Sequence, residues 1–161
     1  MAAHTDFNRA RLLALLLPAG LLAGAWGSQL IGGLFPCEMC HWQRWPHYAA
    51  LLPALGAFFV PLTFRRPFVW LAAILIAVSG AIGVFHAGVE YHWWQGLTQC
   101  TSTGGTVSIN DIMNAPLIRC DVPQWTLAGI SLAGFNAIFS LGGALVIAFL
   151  LARSGKAGAS A

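Results

Sequence analysis

The segment Cys37-Glu38-Met39-Cys40 holds two thiols at C-x-x-C spacing, and Arg44 follows one helical turn after the second. With a helix beginning near Pro36, Cys37, Cys40 and Arg44 stand at i, i+3 and i+7, on one stripe of that helix. Unpaired backbone N–H groups at a helix start stabilise a thiolate, and Arg44 adds a fixed positive charge at i+4 from Cys40. Cys40 is therefore the candidate for the more reactive sulfur of the pair, with Glu38 opposing it electrostatically. Such a site suits thiol–disulfide exchange that ends at an electron acceptor. Arg44 has a second use there, as a hydrogen-bond donor to an acceptor's carbonyl oxygen while charge develops on it.

The other two of the four cysteines, Cys100 and Cys120, have 19 residues between them. One reading is a structural disulfide, whose loop closure is worth about 3 kcal/mol. The Gly-containing flank Thr101 to Thr106 beside Cys100 favours exchange over stapling, and the two uses are compatible. Zinc also binds C-x-x-C pairs, but structural zinc sites repeat a tight spacing that Cys100 and Cys120 lack, so no metal is expected. Cys37 to His41 spells C-x-x-C-H, and His41, His47, His86 and His92 are conceivable haem ligands. A c-type attachment needs a haem-sized extramembrane fold, for which this chain has no room. For Arg44 the plain alternative is snorkelling to a membrane interface. For His86 it is a buried, hydrogen-bonded ring.

The elements that carry these residues are membrane spans. The 161 residues are 58% hydrophobic and 8% charged, with a mean hydropathy of +0.72, which no ordinary soluble domain shows. Uncharged runs from Leu12 to Cys37, Trp45 to Phe64, Pro67 to Val89 and Val122 to Ala152 each supply the roughly 20 apolar residues a span needs. The expected fold is all-α: a single transmembrane four-helix bundle with spans at about 12–33, 45–64, 68–89 and 126–151. Ala23-Gly24-Ala25 has the form of a signal-peptide cleavage site, yet the apolar run continues to Phe35, so the first span is expected to be retained.

Of the eight Lys and Arg, Arg9, Arg11, Arg65, Arg66, Arg153 and Lys156 fall on one side of this arrangement, and Arg44 and Arg119 on the other. The basic side is cytoplasmic. Both termini and an Arg65-Arg66-Pro67 turn are thereby expected inside, and all four cysteines outside, where disulfides persist. The outer loop, about 90–125, is too short to bury a core of its own. Its Ser108-Ile109-Asn110-Asp111 stretch fits a capping box and predicts a short interfacial helix. Trp42, Trp45, Trp93, Trp94 and Trp125 fall at the outer boundary as an aromatic belt. Ser79, Gly80, Gly83 and Gly88 in the third span, and Gly129, Gly134, Gly142 and Gly143 in the fourth, are expected packing points. The net charge of +3 has a topological explanation, and no nucleic-acid binding is expected.

In this order and sidedness, the Cys37-x-x-Cys40 pair with Arg44, the outer-loop cysteines, and Cys120-Asp121 followed by Gln124-Trp125 and a Gly-rich last span resemble the DsbB family of disulfide-bond formation proteins. The resemblance covers most of the chain. It implies a four-span oxidoreductase of the bacterial inner membrane on the DsbA–DsbB–quinone route. It further implies that a Cys100–Cys120 disulfide meets a DsbA-like periplasmic thiol oxidase, with Cys100 attacked. Cys120 would then exchange with Cys37, and Cys40 would pass electrons to quinone, ubiquinone or menaquinone, beside Arg44. His86, Glu90 and His92 receive no role from it. Two other readings are a structural or haem/metal-binding bundle with stapling disulfides, and a vitamin K epoxide reductase-like enzyme. In the latter family the C-x-x-C follows the loop cysteines, whereas here it precedes them.

Overall fold

A computed structural model describes residues 2–98 and 118–159. Among them are four long helices: α1 (Ala2–Leu30), α2 (Glu38–Gly56), α3 (Leu62–Glu90) and α4 (Leu132–Ala159). A two-stranded hairpin, β1 (Thr126–Leu127) and β2 (Ile130–Ser131), precedes α4. Cys100 lies outside the described residues, as do Thr101 to Thr106 and the interfacial helix expected around Ser108 to Asp111.

Three of these helices are long and apolar enough to cross a membrane, over His4–Leu30, Leu62–Glu90 and Leu132–Gly155. The fourth, α2, has 19 residues, about 28 Å at 1.5 Å per residue, and is the more polar member. It packs mainly against α3, and α4 packs against both α1 and α3. The shared core is built from small side chains, Ala10, Ala14, Ala50, Ala54, Ala72 and Ala73, around Val69, Ile76, Ile147 and Leu151. Large apolar residues such as Leu16, Leu52, Phe59 and Leu145 face outward. Small residues inside and large ones outside are what helices packed in lipid require. The molecule is an all-α membrane bundle.

Two connections differ from expectation. Arg65, Arg66 and Pro67 are not a turn but the first helical turns of α3, and the chain reverses earlier, through Ala57 to Pro61. Pro61 is the N-cap of α3. A proline there forfeits no helical hydrogen bond, since the first N–H groups of a helix are unpaired anyway. The last helix starts at Leu132 rather than near 126, because Ala128 (φ 52) and Gly129 (φ 79) make a two-residue turn. Left-handed backbone at both positions suits a tight hairpin, which explains Gly129 as a turn residue rather than a packing point. Ser131 Oγ then accepts from Gly134 N at 3.1 Å, capping α4.

Basic residues gather at one end. Arg66 donates to Ser154 Oγ (2.8 Å) and to Leu151 O (2.9 Å), Arg153 meets Asp6 at 3.4 Å, and Arg11 lies over the Phe58 ring. Cys37, Cys40 and Cys120 occupy the opposite end. There Gly88 lets α3 approach an indole: a Cβ on Gly88 would sit 2.0 Å from Trp94 Cζ2, while Trp94 stacks on Phe85 and donates to Phe85 O at 2.9 Å. Gly88→Ala is expected to evict the Trp94 ring and to cost about 1–3 kcal/mol. Thermal unfolding in detergent checks this, and an unchanged midpoint would contradict the packing.

Candidate active site

The chain leaves α1 at Leu30, runs through Pro36 and enters α2 with Cys37 as its N-cap. Cys37 Sγ accepts the Cys40 backbone N–H at 3.3 Å, so the thiol satisfies an otherwise unpaired donor of the first turn. The same geometry brings the two sulfurs to 2.9 Å. Cys37 is buried, while Cys40 retains partial exposure.

Cys120 joins them from the other side. It is fully buried in a cluster with Cys37, Met39 and Val89, and its thiol faces that of Cys37. Thr98 Oγ1 donates to Cys120 Sγ at 3.5 Å. Three cysteines separated by up to 83 residues of sequence therefore share one site. Beside Cys120 and Cys40, and out of water, the Cys37 thiol is pushed far above the ordinary cysteine range, because a charge on it would face two other sulfurs. Cys37 keeps its proton throughout the neutral range. In the reduced protein at pH 8, maleimide is therefore expected to label Cys40 well before Cys37, as peptide mass mapping over time can read. The reverse order would contradict the site's electrostatics.

His86 of α3 stands over the pair, its Nε2 3.6 Å from Cys37 Sγ and 3.8 Å from Glu90 Oε1. Its Nδ1 meets Gln43 Nε2 at 2.6 Å. The amide N–H donates, so in the neutral ring the hydrogen is on Nε2, facing the sulfur and the carboxylate. Cys37 Sγ, Cys40 Sγ and His86 Nε2 all lie within 4.8 Å of one another, a grouping able to hold a metal ion. Two thiolates on tetrahedral zinc stand about 3.8 Å apart for Zn–S bonds of about 2.3 Å. At 2.9 Å these sulfurs are closer to each other than zinc would hold them.

Arg44 does not reach for the interface. It is 8% exposed and crosses to α1, donating to Gln29 Oε1 at 2.9 Å and Ala25 O at 3.1 Å. Its guanidinium lies 5.7 Å from the Trp26 ring centroid. Arg44 and Cys40 line two spaces at once. One is a small cleft of about 50 Å³ toward Phe35, Arg119 and Gln124; the other is a cavity of about 260 Å³ between α1, α2 and α4. The larger one is walled mainly by apolar residues, including Leu21, Leu22, Phe135 and Phe139.

At the outer rim, Arg119 pairs with Asp121 through two hydrogen bonds of 2.8 and 2.6 Å. Its guanidinium holds the Asp121 carboxyl below the usual range. Gln124 ties this segment to the α1–α2 connection through the Phe35 backbone. Trp45, Trp93, Trp94 and Trp125 are exposed at this end, whereas Trp42 is partly buried against the Cys37 cluster.

Sequence reasoning placed Cys37, Cys40, Cys120 and Arg44 at this end of the bundle, and all four converge. It missed the buried polar network that Gln43, His47, Ser79, Asn136 and Ser140 form across α2, α3 and α4, having read His47 as a conceivable haem ligand and Ser79 as a packing point. The available signal was polar residues inside apolar spans, which default to function. His41 and His92 are exposed, whereas His47 and His86 are buried with separate partners.

Residues 7–150 match the family model described as Disulfide bond formation protein DsbB. A curated relative, Disulfide bond formation protein B from Acidovorax sp. (strain JS42), is 28% identical over 91% of this chain and 89% of its own length. No solved structure matches significantly.

Proposed function

The chain belongs to the DsbB family, and on that premise we propose that it reoxidises a DsbA-like periplasmic thiol oxidase and passes the electrons to membrane quinone. A disulfide oxidoreductase role follows from the family. Quinone as acceptor, the bacterial inner membrane as location, both termini cytoplasmic and the cysteines periplasmic are our reading. The observation that carries it is the position of Cys40, in the wall between a cleft reached by Cys37 and an apolar cavity walled by lipid-facing helices.

The exchange runs inward. The thiolate of the reduced partner attacks Cys100 of a Cys100–Cys120 disulfide, forming a mixed disulfide and releasing Cys120. The partner's second thiol then resolves that bond and leaves oxidised. Cys120 attacks Cys37, to which its sulfur is turned, and displaces Cys40 as a thiolate. Attack by Cys100 on Cys120 restores the outer disulfide and leaves Cys37 and Cys40 as a dithiol. The Cys37 end holds its proton, and His86 Nε2–H faces that sulfur.

The residues around the 260 Å³ cavity fit a quinone head group. Apolar walls suit the ring, Arg44 uses two N–H groups on α1 and retains others, and a buried ring nitrogen of His47 has no partner among the described residues. When bound, a quinone supplies a two-electron sink that is discharged into the respiratory chain. Toward it, Arg44 offers a positive charge and a fork of donors for a carbonyl oxygen, Cys40 presents its sulfur, and the phenylalanines exclude water.

Steady-state quinone reduction by the purified chain in detergent, supplied with a reduced thioredoxin-like periplasmic oxidase, tests the reading. Turnover that needs donor, chain and quinone together is expected. Failure with both ubiquinone and menaquinone would leave stapled, structural cysteines as the better account.

A further inference from the structure

Of the described residues lining the larger cavity, only Cys40, Arg44 and His47 have titratable side chains. Reduction of a quinone adds two electrons and two protons. Cys40 belongs to the electron-donating pair, and an arginine does not surrender its proton in a protein. His47 is left as the one cavity-lining group able to exchange a proton with a ring oxygen. It is 3% exposed and follows Arg44 by three residues on α2, so both share a face about 4.5 Å apart along the axis. Two such groups can address the two ends of a ring.

The hydrogen bonds around His47 fix which nitrogen is free. Asn136 Nδ2 donates to Gln43 Oε1 at 2.8 Å and to Ser79 O at 3.2 Å, which settles the amide's orientation. Its Oδ1 is then an acceptor, 3.0 Å from His47 Nε2. Ser140 Oγ also donates to that Oδ1 at 2.9 Å. His47 Nε2 therefore bears the hydrogen, and Nδ1 of the neutral ring is a bare lone pair, buried without a partner among the described residues. A core histidine held only for packing would satisfy both nitrogens. This one satisfies a single nitrogen and lines a cavity.

We propose that His47 is the second polar contact of the acceptor ring: its Nδ1 accepts a hydrogen bond from a quinol hydroxyl and, when protonated, delivers the proton to that oxygen. The proposal rests on quinone being the acceptor, and it deepens that reading. As the Cys37–Cys40 bond forms, the two thiols lose two electrons and two protons; the ring oxygens gain both, with two O–H bonds made. His47 takes one of the protons released by the thiols onto Nδ1 and gives it to one oxygen, returning to the neutral ring. Asn136 is a positioning residue, since an amide orients the imidazole but passes no proton without tautomerising. A neutral Nδ1 accepts from O–H and cannot donate to C=O, so His47 favours the reduced ring over the oxidised one.

The test compares binding of short-chain ubiquinone and of its quinol to the full chain in detergent, with His47→Leu and His47→Gln. His47→Leu is expected to weaken quinol binding about tenfold and quinone binding less than about twofold. His47→Gln, which accepts but does not transfer a proton, is expected to restore quinol binding while single-turnover quinone reduction stays slow. Equal loss of both ring forms, or no change in either, would overturn the role of His47. If His47→Leu does not fold, His47→Gln decides alone: undiminished single-turnover rates overturn proton delivery. An unaltered chain that binds neither ring form would overturn the quinone reading itself, which separates the two failures.

Discussion

Cys40→Ser is expected to abolish quinone reduction, lowering turnover by at least about 10³-fold, while the outer cysteines still react with the reduced partner. Cys40 Sγ lies 2.9 Å from Cys37 Sγ and lines both the outer cleft and the apolar cavity. A hydroxyl can neither form the Cys37 disulfide nor leave as a thiolate, so no oxidising equivalent crosses from cavity to loop. Electrons that enter at Cys100 then have nowhere to go. Alkylation mapping is expected to show one partner dithiol oxidised per chain, after which Cys100 and Cys120 stay reduced. Wild-type turnover in Cys40→Ser would place the electron exit elsewhere.

Arg44→Ala is expected to raise the quinone concentration needed for half-maximal turnover by about 10–100-fold, the worth of a charged hydrogen bond lost from a buried site. The maximal rate at saturating quinone is expected to fall less. The guanidinium does two jobs: it faces the cavity, and it ties α2 to α1 through Gln29 Oε1 and Ala25 O. Arg44→Lys separates them, because an ammonium keeps the charge and loses the planar fork that spans both α1 acceptors. Partial recovery of quinone affinity with a lowered thermal midpoint is the expected signature. A midpoint that falls with quinone affinity intact would make Arg44 a helix tie and nothing more.

Much of this site was legible along the chain. The start of α2 at Cys37 follows from Pro36 and the polar turn before an apolar run, and it puts Cys37 and Cys40 together by helical period alone. The common end of Arg11, Arg66 and Arg153 follows from the distribution of charge between spans. Burial of Arg44 was not legible, because its partners Gln29 and Ala25 belong to another helix. Neither was the His47–Asn136 pair, 89 residues apart, since only packing of α2 on α4 brings it together. The Arg65-Arg66-Pro67 turn was misplaced because two arginines and a proline look like a connection. In α3 they occupy the fourth to sixth helical positions, and Arg66 reaches α4. Cys120 was assigned to exchange with Cys37 through family resemblance, and the buried Cys37–Cys120 contact gives that assignment a physical basis.

The most direct measurement is anaerobic and single-turnover: reduced partner oxidase mixed with the intact, quinone-loaded chain, with quinone absorbance and partner disulfide followed together. In Cys40→Ser no quinone is expected to be reduced and at most one partner dithiol oxidised per chain, whereas the intact chain is expected to reduce one quinone for each partner dithiol oxidised. Partner oxidation by the intact chain without loss of quinone absorbance would contradict the account, because the electrons would then have stopped at the cysteines.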